Sequence, residues 1–288
     1  MPELSEVEFF RRRWWEAAAR QTAHSAEINP RSRVFRLFAK DLAAGPTALA
    51  KLLTGARLTD SGTHGKQMWF VFKTAQAKSL WLGIHLGMTG HLRVVPAKYL
   101  AQKHDAIILC FSKHTLVFND ARQFGRVRAW LGSAKERPPW LSKLPAEILS
   151  PGFTPEFIHS VCARHARAPL KAVLLNQKYF PGIGNWMADE ILWRAALHPA
   201  LPAGRATPTT AKKLHATIQQ VTRDALRVIA GRGKKLPPDL NVHIPDTWLF
   251  NHRWEKGGTC PKTKKPLARA EIGGRTTCWS PARQKLSR

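Results

Sequence analysis

The residues best suited to covalent chemistry stand at the start of the chain, Met1-Pro2-Glu3-Leu4-Ser5-Glu6-Val7-Glu8. Methionine is commonly removed ahead of a small second residue, and its removal would leave Pro2 as a free secondary amine. Secondary amines attack aldehyde-like carbons and yield iminium ions directly, which is lysine-type nucleophilic chemistry performed by a chain terminus. Glu3 is a neighbouring carboxyl able to give or take a proton in such a reaction. Ser5 and Glu8 have capping-box spacing, and Val7, Phe10, Trp14 and Ala18 follow at helical intervals, so a helix is expected right after the amine. Its positive end would disfavour a protonated amine and help keep Pro2 nucleophilic. The same residues would equally suit an ordinary helix start with no chemistry, and the rest of the chain has to separate the two readings.

Composition narrows the partner. Among 288 residues, Lys and Arg outnumber Asp and Glu by 46 to 19, a formal net charge of +27, which points to a polyanion and first of all to nucleic acid. A membrane-surface role would rest on charge alone, because no long apolar span or isolated basic amphipathic helix is evident. Glu3, Glu6 and Glu8 stand where a signal peptide needs positive charge, and the four cysteines (110, 162, 260, 278) make no paired framework. Both features predict a cytoplasmic protein in a reducing compartment.

After the opening helix, strand-like runs at 67–72, 79–86, 91–95, 106–111, 115–118 and 126–130 predict a β-sandwich or barrel. Lys66 follows Gly65 at the mouth of a strand, where its ammonium is either aimed at a ligand or merely solvated. Met88 sits at the tip of the tight turn Gly87-Met88-Thr89-Gly90 and could fold back on its sheet or wedge between bases. Arg122 and Phe124 put a cation and a ring on one loop, suited to reading a base edge and stacking, or to packing locally.

Residues 132–152, rich in Ser, Lys and Pro, read as a linker. Helical patterns follow at 155–165 and 169–176. Phe180-Pro181-Gly182-Ile183-Gly184 then breaks the chain before a helix over 186–194, for which Asn185 is a suitable N-cap. Backbone N–H groups at such a double turn, with Lys178 and Asn185 beside them, can grip a phosphodiester, although an ordinary helical hairpin would look similar. In the tail, His252, Cys260 and Cys278 offer three zinc ligands and no fourth, so no metal is expected. The hairpin would instead be held by Trp254, Trp279 and Ile272, with Arg275 at its turn free to meet phosphate.

Taken in order, Pro2-Glu3-Leu4-x-Glu6-Val7-Glu8, Gly65-Lys66, His85-Leu86-Gly87-Met88-Thr89-Gly90, Lys103-His104-Asp105, Asp120-x-Arg122-x-Phe124-Gly125, Gly182-Ile183-Gly184-Asn185 and Gly274-Arg275-Thr276-Thr277 resemble the formamidopyrimidine-DNA glycosylase/endonuclease VIII family across nearly the whole chain. The resemblance implies an α+β fold with a catalytic β-sandwich domain (1–131), the linker (132–152), a helix–two-turn–helix domain (153–246) and a β-hairpin finger (247–288). It implies a monomeric base-excision enzyme that acts on damaged double-stranded DNA and also cleaves abasic sites by β- and δ-elimination. Pro2 would attack C1′ of the damaged nucleotide, Glu3 would protonate the sugar ring oxygen, and Lys66 would assist near the lesion phosphate. Met88, Arg122 and Phe124 would fill the gap left by the everted base, while Lys178, Asn185 and Arg275 would hold phosphates and His104 would join the DNA-binding set. Everting the base is coherent physically, because the target atom is unreachable inside a stacked duplex.

Four departures from the family pattern stand out. Ser5 replaces the usual Pro, and Gln123 replaces a second Arg. Thr263, Ser280 and Arg283 occupy three of the four expected finger cysteines, as in zincless relatives. The segment 232–250 is short beside the loop that covers 8-oxoguanine in guanine-preferring members, so oxidised pyrimidines, ring-opened purines, hydantoins and abasic sites are the broader expectation. The rival reading is a DNA- or RNA-binding protein that keeps the scaffold without the chemistry.

Overall fold

The computed structural model describes residues 2–36, 38, 45–133 and 136–286, which form two compact units, Met1–Leu144 and Pro145–Arg288. The division falls inside the stretch expected to be a linker.

The first unit opens with helix α1 (Leu4–Ala18), which buries Val7, Phe9, Trp14 and Ala18. The sequence assigns its capping box to Ser5 and Glu8, and the structure moves it two residues back. Glu3 is the extended N-cap and exchanges bonds with Glu6, whose Oε2 accepts from Glu3 N at 3.2 Å. Ser5 already lies inside the first turn, and its hydroxyl donates to the same Glu6 oxygen at 3.0 Å. The candidate acid Glu3 is therefore itself the residue that starts the helix.

Two four-stranded antiparallel sheets follow, in the orders β1-β6-β7-β5 and β2-β3-β4-β8. Six strands match the apolar runs: β3 (Gln67–Lys73), β4 (Ser79–His85), β5 (His91–Pro96), β6 (Asp105–Cys110), β7 (His114–Asn119) and β8 (Arg126–Gly132). Two do not. Strand β1 (Ser25–Ile28) is four residues long, and β2 (Arg57–His64) is polar, with a bulge between Leu58 and Asp60 that breaks alternation. Phe70, Phe72, Leu82 and Ile84 from one sheet meet Ile107, Leu109, Leu116 and Phe118 from the other, with Trp14 of α1 and Leu49 and Leu53 of α2 (Gly45–Leu53) closing the core. The sandwich is thus a single apolar layer between two inner faces. Helix α3 (Pro139–Ser142) covers part of the outer face: Trp140 lies so close over Gly83 that a Cβ there would come within 2.5 Å of the ring.

The second unit contains α4 (Pro155–Arg164), α5 (Leu170–Leu174), α6 (Asn185–Arg194), α7 (Pro208–Val228) and a hairpin of β9 (Ala268–Ile272) and β10 (Arg275–Trp279). Thr154 and Thr207 cap α4 and α7 through their side chains, each with Pro at the helix start. Eight of the ten residues of α6 are buried, so this helix is the axis against which the neighbouring helices and the hairpin pack. The architecture is α+β, with a helix-led sandwich and a helical unit carrying a finger.

Candidate active site and nucleic-acid interface

The register of the first unit gathers the candidate residues at one end. Along α1, Arg11 donates to Ser61 at 3.0 Å and Glu8 accepts from Thr63 at 3.1 Å. Moving toward the helix N-terminus therefore means moving up β2 toward the two-residue turn Gly65–Lys66, which joins His64 to its partner Gln67. Gly65 has φ of +58°, the conformation that such tight hairpins require. The same progression carries the buried Glu3 and the half-buried Pro2 toward Lys66. Met1 lies outside the described residues.

Pairing of Gln67 with His85, and of His85 with Arg126, sets the ends of β3, β4 and β8 level with one another. The turn holding Met88 and the loop holding Arg122 and Phe124 leave from this same end. Met88 is 39% and Phe124 50% exposed, while the Arg122 guanidinium sits 4.8 Å from the Phe124 ring centroid. In the second sheet Asp105 pairs with Asn119, so His104, just before β6, belongs to this end too. Its carbonyl accepts from Asp120 N at 3.1 Å.

His85 belongs with these residues, although no chemical role is assigned to it from sequence. Burial, followed by the positive charges of Arg126, Lys66 and Arg36, lowers its pKa to about 4. Its Nδ1 accepts from Gly87 N at 3.1 Å, which places the ring proton on Nε2 as a neutral donor. Only the tertiary neighbours distinguish this histidine from a strand-end His.

In the second unit the sequence names Asn185 as the cap of α6, and the structure gives that place to Gly184. A glycine at that position contributes no capping side chain to the start of the helix. The Asn185 amide instead donates to Thr276 O of β10 at 2.9 Å, leaving one amide hydrogen for an outside acceptor. Lys178 is exposed at the turn between α5 and α6. Gln177, which carries no recognisable motif, shapes that turn: it accepts from Gly182 N at 3.1 Å and donates to Ile183 O at 2.7 Å. Arg275 is exposed at the first position of β10, directly after the turn Gly273–Gly274.

The finger is built on a different core from the one expected. Trp254 is 54% exposed, and the buried cluster is Trp193, Leu249, Cys260, Leu267 and Cys278. The Cys260 sulfur accepts from Trp193 Nε1 and Thr263 N at 3.4 Å each. Burial pushes this thiol up, but hydrogen bonds from Thr263, Trp193 and Ser280 outweigh that and bring it to about 7. Arg283 is turned away from any metal role, donating to Trp193 O and Arg194 O at 2.9 Å each. His252 pairs with Asp246 O at 2.7 Å. One thiol, two hydroxyls and a guanidinium do not fit zinc, and no group of three or more His, Cys, Asp or Glu side chains suited to a metal occurs among the described residues.

The segment 232–250, expected to be shorter than the loop that covers 8-oxoguanine in guanine-preferring members, contributes Lys234, Lys235, Leu236, Pro237 and His243 to a cavity of about 720 Å³ that Arg227 also lines. Among the described residues no helix is long and apolar enough to cross a membrane.

With this arrangement in hand, relatives are informative. Residues 1–127 match the formamidopyrimidine-DNA glycosylase N-terminal domain model and residues 144–235 match the H2TH domain model of the same glycosylases. The chain is 31% identical to the formamidopyrimidine-DNA glycosylase of Aromatoleum aromaticum, over 99% of this chain and 100% of the relative. It is 31% identical to that of Thermus thermophilus, over 99% and 98% respectively. Among solved structures, Lactococcus lactis Fpg (MutM) in complex with DNA containing an oxidised pyrimidine superposes with a TM-score of 0.79 at 24% identity, over 99% of this chain and 100% of that one. MutM in complex with DNA containing carbocyclic 8-oxo-G does so at 0.77 and 25%, with the same coverage. The protein belongs to the formamidopyrimidine-DNA glycosylase family and is, with it, a DNA glycosylase.

Proposed function

We propose that the chain is a bifunctional enzyme that excises oxidised or ring-opened bases and then cleaves the abasic strand through a Schiff base on Pro2. The observation that carries this reading is the placement of the N-terminus: Glu3, directly after Pro2, is the buried N-cap of α1, locked to Glu6, and the register of α1 on β2 brings that helix end to the side of the sheet where the Lys66 turn lies. A protein that only binds DNA needs no amine and carboxyl at that spot. Loss of Met1 frees the nitrogen, the amine attacks C1′, and Glu3 protonates the ring oxygen as the glycosidic bond breaks. The resulting iminium acidifies the neighbouring sugar protons and permits β- and then δ-elimination. Lys66 and the neutral Nε2–H of His85 stabilise phosphate charge, which raises the local field most where water is excluded.

Met88, Arg122 and Phe124 fill the stack after eversion, with Arg122 facing the orphaned base. Lys178, Asn185, Arg275 and His104 hold backbone phosphates. Zinc takes no part, and the enzyme acts as a monomer in the cytoplasm.

Borohydride trapping on duplexes carrying an abasic site and a panel of oxidised bases tests this. A covalent adduct at Pro2 is expected. No adduct on any duplex, from protein shown by intact mass to lack Met1, would leave only the DNA-binding scaffold.

A further inference from the structure

The family fold explains which side chains reach the helix stack, but not how two separate loops deliver them together. We propose that Asp120 is the positioning residue that fastens the Met88 turn and the Arg122–Phe124 loop into one wedge. The inference rests on the DNA-binding reading above. Asp120 is 1% exposed. Its Oδ1 accepts from the Thr89 hydroxyl at 2.9 Å, one residue after Met88. Its Oδ2 accepts from Gly125 N at 2.6 Å, one residue after Phe124. One carboxylate therefore ties down both loops at the residues that flank their exposed tips.

The backbone adds to the same joint. A Cβ on Gly87, which has φ of +64°, would come within 2.4 Å of the Phe124 carbonyl carbon, so the two loops touch backbone to backbone. Gly90 N closes the Met88 turn onto Leu86 O at 2.9 Å, and Gln123 N closes the other loop onto Asp120 O at 3.1 Å. Gln123, at φ of +55°, also reaches back to accept from Arg33 N at 2.8 Å. Arg36 donates to Gly125 O at 3.0 Å. The second loop is thus held from behind, and the first is held to it chiefly through Asp120.

Rigidity of this kind has a use only if the tips must push. Inserting side chains between stacked bases costs a few kcal/mol per step, and loops that are ordered beforehand do not pay an ordering cost during insertion. Both Asp120→Asn and Thr89→Val should therefore slow insertion without touching the groups that insert. In Asp120→Asn one position accepts from Gly125 N and the other can only donate to the Thr89 hydroxyl, so both bonds lose the carboxylate charge that strengthens them. Thr89 is exposed, so Thr89→Val removes a single hydroxyl from the surface end of the joint.

Insertion is read by stopped-flow fluorescence of 2-aminopurine placed beside a tetrahydrofuran abasic analogue, which records the wedge whether or not any bond is cut. Each variant is expected to insert about tenfold more slowly where the orphan base is present, as expected for one lost hydrogen bond to a charged group. Where the opposite strand carries a gap and nothing has to be displaced, the deficit should shrink below about twofold. Thr89→Ser should recover the wild-type rate. Equal deficits on both duplexes would reduce Asp120 to a fold-stabilising group and overturn the proposal, as would unchanged rates or a wild type that gives no fluorescence rise. Failure of borohydride trapping alongside normal insertion would strike only the Pro2 chemistry.

Discussion

Asp189→Asn offers a sharp test of what holds the finger in place. Two buried cations share this carboxylate. Lys171 Nζ bonds one oxygen, while Arg253 Nε and Nη2 reach the other at 3.1 and 2.6 Å, joined by Cys278 N at 3.2 Å. Side-chain exposure is 0% for Lys171 and Asp189 and 4% for Arg253. Replacing the carboxylate with an amide leaves both cations buried without a counter-charge, a change that costs about 3–5 kcal/mol. At roughly 1–3 kcal/mol per molar urea, the midpoint of the second unit should fall by about 1–5 M. Lys171→Met is the control: it leaves Arg253 and Asp189 as a one-to-one pair, and exchanging an ion for a thioether of similar length should cost about 1 kcal/mol or less. Urea unfolding followed by tryptophan fluorescence reads both, since Trp193 lies at the root of the finger. The reasoning fails if Asp189→Asn stays within about 1 kcal/mol of wild type, or if Lys171→Met proves the more damaging of the two.

Further outcomes follow from the same geometry. Glu3→Gln should lower base excision by about 10²–10⁴-fold while still giving a borohydride adduct on a ready-made abasic site; loss of both together would place Glu3 in folding instead. Arg275→Ala should reduce the slope of log affinity against log salt by about 1, measured by anisotropy on an abasic duplex. The His85 pKa falls from 6.5 to about 4, so the unfolded chain takes up its proton first as pH drops. Stability from this group is whole above about 6.5 and is lost progressively toward about 4, by at most about 3 kcal/mol. His85→Gln should flatten that part of the pH–stability curve, and an unchanged slope would show that other groups account for it. Chelator treatment should leave excision intact, whereas stoichiometric zinc by elemental analysis would contradict the donor set around Cys260.

Local pattern sufficed wherever one stretch of chain carries its own signal. The strands β3 to β8 are short apolar runs bounded by turns, and the positions of Pro2, Gly65–Lys66, Met88 and Arg122–Phe124 could be named without coordinates. Strand β2 escaped notice because Arg57–His64 is polar and bulged, and is a strand chiefly because β3 pairs with it. Two caps moved for a related reason. Ser5 and Asn185 both have capping side chains, yet each lies just inside its helix and spends its polar group elsewhere, on Glu6 and on Thr276. Trp254 looked like finger core by type, but the hairpin packs instead on Trp193, more than sixty residues earlier.

Order and identity of residues therefore set the chemistry on offer, a proline at position 2 that loss of Met1 would expose as an amine with a carboxyl beside it, and the basic surface that would bring DNA to it. Long-range contact set the rest: the neutral state of His85, the joint at Asp120, and a finger anchored by Asp189 and Trp193. Charge screening, burial and hydrogen-bond partners depend on groups that meet only in three dimensions, and no spacing along the chain encodes them.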